Sequence, residues 1–180
     1  NTNSHNTAVG YNSLLTITTG GANVAIGSYA ASLTTTGVSN VAIGAYDGTL
    51  VAALRTNTVG SFNIAIGTAA LALANENDND GTVAIGHLAC TAQAGTGGAQ
   101  FSNATVGIGY KALTALTTGA ENIAIGHQAG WKATTANYNT TVGWKSLGGN
   151  QSTALTGSRN TAVGDYALMT INDAGSSNTG

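Results

Sequence analysis

Charge is scarce in this chain of 180 residues: Lys and Arg number 5, Asp and Glu 7, and together they form 7% of it, against about 25% in an ordinary soluble domain. Five cations under a formal charge of −2 cannot line the basic stripe that nucleic acid or an anionic membrane surface needs, so both are disfavoured as partners. The single cysteine, Cys90, excludes an internal disulfide framework and a cysteine-based metal cluster. Apolar runs are short; Ala69 to Ala74 falls far below the roughly 20 residues of a membrane span, so no membrane insertion is expected. Asn1 is followed by no basic-then-apolar leader, and a targeting signal is expected to be absent or to lie outside this chain. Proline is absent and aromatics are 6%, whereas Gly numbers 26 and the hydrophobic share is 42%. Little charge with abundant Gly, Thr and Asn suits disorder, but the apolar fraction is too high for that. The length accommodates one domain or one run of repeats, and the composition fits regular β structure built from small residues.

A repeat organises the chain from 1 to 180 as a single domain. Asn6-Thr-Ala-Val-Gly10 recurs as Asn23-Val-Ala-Ile-Gly27, Asn40-Val-Ala-Ile-Gly44, Asn63-Ile-Ala-Ile-Gly67 and Thr82-Val-Ala-Ile-Gly86. Thr105-Val-Gly-Ile-Gly109, Asn122-Ile-Ala-Ile-Gly126, Asn139-Thr-Thr-Val-Gly143 and Asn160-Thr-Ala-Val-Gly164 complete nine copies. Subtracting successive glycine numbers gives spacings of 17, 17, 23, 19, 23, 17, 17 and 21. The shortest is the basic unit, and the excess in the others reads as surface loops inserted between fixed structural cores.

Within each core the second and fourth positions are β-branched, the third is Ala except at Gly107 and Thr141, and the fifth is Gly. Alternate residues of a strand share a face, so one face is branched and the other nearly bare. The bare Ala/Gly face is expected to receive another backbone closely, here that of a neighbouring chain. Strands apolar on both sides fit a stacked solenoid or a multichain fibre better than a sandwich with one wet face. Asn at the first position in seven copies is expected to stack into a ladder of side-chain amides.

Three residues before the core stands Gly20, Gly37, Gly60, Gly119 or Gly157, with Asn3 and Asn79 in two copies, and a tight left-handed turn is expected there. Ser102 and Ala136 depart from the rule, Asn137 taking over in the second case. Three residues after the core glycine come Ser13, Ala30, Asp47, Ala70, Ala89, Ala112, Ala129, Ser146 and Ala167, often followed by Leu, which reads as a second short strand packing back on the first. No stretch shows sustained helical periodicity. Nine coils at about 4.8 Å per coil make a rod of roughly 43 Å. Gly175 to Gly180 matches the start of a tenth repeat, so this is expected to be a segment of a longer fibre.

The pattern Asn-x-Ala-Ile-Gly-x-x-Ala resembles the head repeats of trimeric autotransporter adhesins of the YadA type. It is also similar to the longer, Thr-Thr-Gly-linked repeats of many bacteriophage tail fibres and related bacterial surface proteins. The resemblance runs from Asn3 to Gly180, although the period of 17 or more exceeds that of the adhesin heads. It implies an all-β fold, a left-handed parallel β-roll of about nine coils, with three chains side by side around an axis. It further implies a rigid shaft or binding head, extracellular, on a cell surface or virion. The partners expected are other copies of the chain, as homotrimer or filament, and a host-surface glycan or protein. Two alternatives are a self-assembling extracellular filament joined end to end and an ice- or glycan-binding solenoid, the latter on Thr16-Ile-Thr18 and Thr34-Thr-Thr36.

Chemistry is sparse. His87 and His127 directly follow the core glycine in different coils, so three copies near a trimer axis would ligate a metal. The same slot holds Tyr11, Ser28, Ala45, Thr68, Tyr110, Trp144 and Asp165, which is the pattern of an exposed variable position. Glu76, Asp78 and Asp80 ahead of Gly81 loosely match a calcium loop, but His87 stands where a bidentate Glu is needed, and a solvated polar loop fits as well. Cys90 occupies a slot other repeats fill with Leu and reads as buried and inert. No nucleophile motif is present, and Asp47, Glu121 and Asp165 have no visible acid–base partner, so no enzymatic activity and no cofactor are expected. Tyr110, Trp131 and Trp144 are candidates for surface binding, with packing between loops as the alternative.

Overall fold

A computed structural model describes residues 5–74, 79–93, 104–148, 154–170 and 175–180. Asn3, Glu76, Asp78 and Ser102 fall outside these residues. The described residues contain no helix and nine three-residue strands: β1 Thr7–Val9, β2 Val24–Ile26, β3 Val41–Ile43, β4 Ile64–Ile66, β5 Val83–Ile85, β6 Val106–Ile108, β7 Ile123–Ile125, β8 Thr140–Val142 and β9 Thr161–Val163. They form one parallel sheet in chain order. Every pairing sets equivalent repeat positions side by side, as with Val24 beside Val41, Ala25 beside Ala42 and Ile26 beside Ile43. The chain is a β-solenoid in which each coil adds one strand. Thr179 continues the stack by bridging Thr161.

The orientation of the strands corrects the sequence-based expectation. The bare third position points into the coil of its own chain: Ala25, Ala42, Ala65, Ala84, Ala124 and Ala162 are completely buried. Opposite them pack Ala30, Ala70, Ala89, Ala112 and Ala129 together with Leu14, Leu54, Leu71, Leu113 and Leu147. Leucine arriving from the far side of the coil fills the interior, so the strand must contribute a methyl group and no more. The bulky β-branched positions therefore face outwards. The two exceptions at the third position are accommodated locally. A Cβ at Gly107 would meet the Cys90 sulfur, and Thr141 packs where Gly130 replaces the usual leucine. The Thr141 hydroxyl bonds within the core to Ser146 Oγ at 2.6 Å.

The segment after the core glycine is a chain of tight turns, not a second strand. Local and inter-coil bonds alternate along it. Ala30, Ser32 and Thr34 donate N–H back to Gly27, Tyr29 and Ala31, whereas Ala31 and Leu33 donate to Ala53 and Arg55 of the next coil. Alternate residues adopt left-handed φ, as at Tyr29 (61°) and Ala31 (46°), turning each peptide opposite to the one before. Asp47 does not share the slot assigned to it: the third coil loops out after Tyr46 and rejoins at Ala53, which donates to Gly44 O.

The left-handed corner also lies elsewhere than expected. It falls on the residue just before the core, Ala22 (φ 57°), Ser39 (56°), Glu121 (55°) or Arg159 (59°), and not on Gly20 or its equivalents. Those glycines are needed for approach: a Cβ on Gly37 would stand 2.5 Å from Gly60 O in the next coil. The core glycines answer both demands, since Gly126 has φ +133° and a Cβ there would strike the backbone of Gly143.

Candidate interaction faces

Two side-chain ladders hold the coils in register and so fix the outer surface. In the first, Oδ1 of Asn23 accepts from the Asn40 N–H at 2.9 Å and from Asn40 Nδ2 at 3.1 Å. Asn23 Nδ2 in turn donates to Gly37 O at 2.8 Å. Asn6 and Asn160 repeat this arrangement, and Asn40 and Asn139 repeat it without the contact from the next amide's Nδ2. Asn122 makes the full set with Ala136 O in place of the glycine carbonyl, whereas Asn63 takes part through Oδ1, which accepts from Thr82 N–H. The second ladder, two residues before the core, escaped sequence reasoning and runs the other way. Ser61 N–H donates to Asp80 Oδ1 at 2.6 Å, Ala120 N–H to Asn137 Oδ1, Asn137 N–H to Ser158 Oγ and Ser158 N–H to Ser176 Oγ. An oxygen-bearing side chain recurring at that offset was the available signal. Asp80, offered above as a calcium ligand, has one carboxylate oxygen committed here; Glu76 and Asp78 lie outside the described residues.

On this frame the sheet presents an outer face of two columns. One holds Thr7, Val24, Val41, Ile64, Val83, Val106, Ile123, Thr140 and Thr161; the other holds Val9, Ile26, Ile43, Ile66, Ile85, Ile108, Ile125, Val142 and Val163. No residue in either column is charged. Val9, Ile26, Ile64, Ile123, Ile125 and Val163 are each more than one-third exposed, from 36% at Ile64 to 59% at Val163. Eight steps of about 4.8 Å give this apolar strip a length of roughly 38 Å.

Beyond the core glycine a file of rings climbs the coils. Tyr110 stacks between His87 (centroids 5.6 Å apart) and His127 (4.9 Å), and Trp144 follows, with Tyr166 against it at 4.6 Å. Trp144 Nε1 donates to His127 Nδ1 at 2.9 Å. Within one chain the two histidines thus flank a tyrosine, and no group of three His, Cys, Asp or Glu comes together among the described residues. Tyr110 and Trp144 belong to this file, whereas Trp131 stands apart with Lys132 Nζ 4.6 Å over its ring. A separate run, Tyr11, Tyr29 and Tyr46, stacks edge to face at 5.5 and 5.8 Å.

Titratable chemistry is muted. Burial pushes the Cys90 thiol up to about 12, so it stays protonated and is no nucleophile at neutral pH. The Asp47 carboxyl is held below its usual range by N–H groups of Leu50 and Thr49, a loop cap rather than an acid–base site. The hydroxyls of Thr16, Thr18 and Thr35 donate to carbonyls of the next coil, so they do not form a free hydroxyl array. No helix among the described residues is long and apolar enough to cross a membrane. No family model matches the chain, and no curated protein or solved structure is significantly similar to it.

Proposed function

We propose that this chain is a structural segment of an extracellular fibre, in which three copies pack side by side through their β-branched faces into a rigid shaft or head. The observation that carries the reading is the outer sheet face: two in-register columns of Val, Ile and Thr without a charge, much of it open to solvent. Contiguous apolar strips of this kind on a regular surface are covered in functional assemblies. A flat β face of identical columns suits a second copy of itself, because a rise of about 4.8 Å is common to both partners. The correction to the strand orientation moves the contact from the bare face to the branched one and leaves the assembly reading in place. The resemblance to adhesin heads and tail-fibre repeats supplies the number three and the cell-surface or virion location.

Sedimentation equilibrium tests the reading. The expected mass is three times 17.7 kDa, and Ile26→Lys with Ile125→Lys should return the chain to a folded monomer. A single-chain mass for the unaltered protein, with a native far-UV spectrum, would overturn it. Filaments lengthening with concentration would favour end-to-end joining instead.

A further inference from the structure

The chain carries five cations, and four of them lie over aromatic rings of their own chain: Lys111 over Tyr110, Lys132 over Trp131, Lys145 over Trp144 and Arg159 over Tyr138. Arg55 is the exception. It borders a cleft of about 420 Å³ walled by Tyr29, Tyr46, Thr49 and Val51, where the looped-out part of the third coil rises beside the stack. Its guanidinium has neither an ion pair nor a ring contact among the described residues. The acid of that loop is engaged within the loop itself, Asp47 Oδ1 accepting from the N–H groups of Thr49 (2.9 Å) and Leu50 (2.6 Å). The Tyr46 hydroxyl donates to Gly48 O at 3.1 Å, and its ring meets Tyr29 edge to face, so the wall is set before anything binds.

We infer that this cleft binds a sugar ring bearing a carboxylate, such as a uronic acid. Guanidinium and carboxylate match as a two-point, charge-assisted pair. Tyrosine supplies an apolar ring face with a polar edge, which suits the CH face and hydroxyls of a sugar. The volume lies within the range of about 300–1,000 Å³ usual for small-molecule sites. The site lies within one chain, so it does not rest on the copies assembling and can be tested whatever the oligomeric state.

The test is ligand-observed NMR titration of the full chain with methyl glucuronide, methyl glucoside and acetate at low salt. Methyl glucuronide should bind at least about tenfold more tightly than either of the others, since each of those offers only half of the recognition. Arg55→Gln and Tyr46→Ala should each weaken glucuronide about tenfold or more, while Arg55→Lys retains part of the binding. Tyr46 is exposed, so its variant should keep a cooperative melt and the native far-UV spectrum, which separates lost binding from lost fold. Equal affinity for glucuronide and glucoside, equal affinity for glucuronide and acetate, undetectable glucuronide binding, or binding that survives both variants would each overturn the inference.

Discussion

The middle of the stack and its two flanks are built to the same strand register but fastened differently. Flanking coils carry Asn at the first core position, and each such amide ties its own coil to its neighbours. In the middle Thr82 and Thr105 stand in that place. Asn63 Oδ1 still accepts from Thr82 N–H at 3.0 Å, but Asn63 Nδ2 and Thr105 Oγ1 are buried without a hydrogen-bond partner among the described residues. The same region holds Gly107 for Ala and Cys90 for Leu. Yet β4, β5, β6 and β7 pair in unbroken register, each position beside its equivalent. Strand stacking is thus set by the glycine and alanine columns, while the amides add stability at the corner without determining the fold.

The sharpest way to break this comparison is to attack the feature both regions share. Gly126→Val in a flank and Gly86→Val in the middle should each abolish cooperative folding, with losses above about 4 kcal/mol, because φ is +133° and +128° and backbone of the next coil fills the Cβ position. Thermal melts followed by circular dichroism check this; tolerance at Gly86 alone would mean the middle is held by something else.

A second expectation concerns the middle only. The folded chain keeps the Cys90 proton up to about pH 12, whereas an exposed thiol releases it near 9.0. Between these values the unfolded state binds fewer protons, so stability falls as pH rises, by up to about 1.4 kcal/mol per pH unit. Urea midpoints from pH 8 to 11 should show this slope as the difference between the wild type and Cys90→Ala. Parallel profiles for the two proteins would show that the thiol is not the cause.

The smaller effects test the amides directly. Asn139→Ala removes the acceptor of the Asn160 N–H and the donor to Gly157 O, and should cost about 3 kcal/mol. Thr105→Ala, its counterpart in the middle, should cost under about 1 kcal/mol, since the hydroxyl has no partner to lose. Thr105→Asn should gain about 1 kcal/mol by extending the ladder towards Asn122. A loss in that last variant would show that the middle has no room for the amide.

The repeat made the strands and their parallel stacking legible, because five positions recur in nine copies and each has its own chemistry. Which face turns inward was not legible from the core alone: it depends on Leu14, Leu71 and Leu113, four residues beyond the glycine, which claim the interior first. The left-handed corners left no trace because Ala22, Ser39, Phe62, Glu121 and Arg159 share a backbone angle and nothing else. The file of rings was half legible. Its slot was visible at Tyr110 and Trp144, but its continuation to Tyr166 one residue further on needed the turn geometry. The Tyr29–Tyr46–Arg55 cleft was hidden because the third coil's extra residues break the count between Tyr46 and Arg55.

That third coil also shows how this architecture accommodates change. Its added residues depart after Tyr46 and return at Ala53 while β3 and β4 stay adjacent, so the advance per winding is independent of how much polypeptide each winding contains. Such a molecule can acquire or lose recognition elements at its margin, one circuit at a time, without altering its reach.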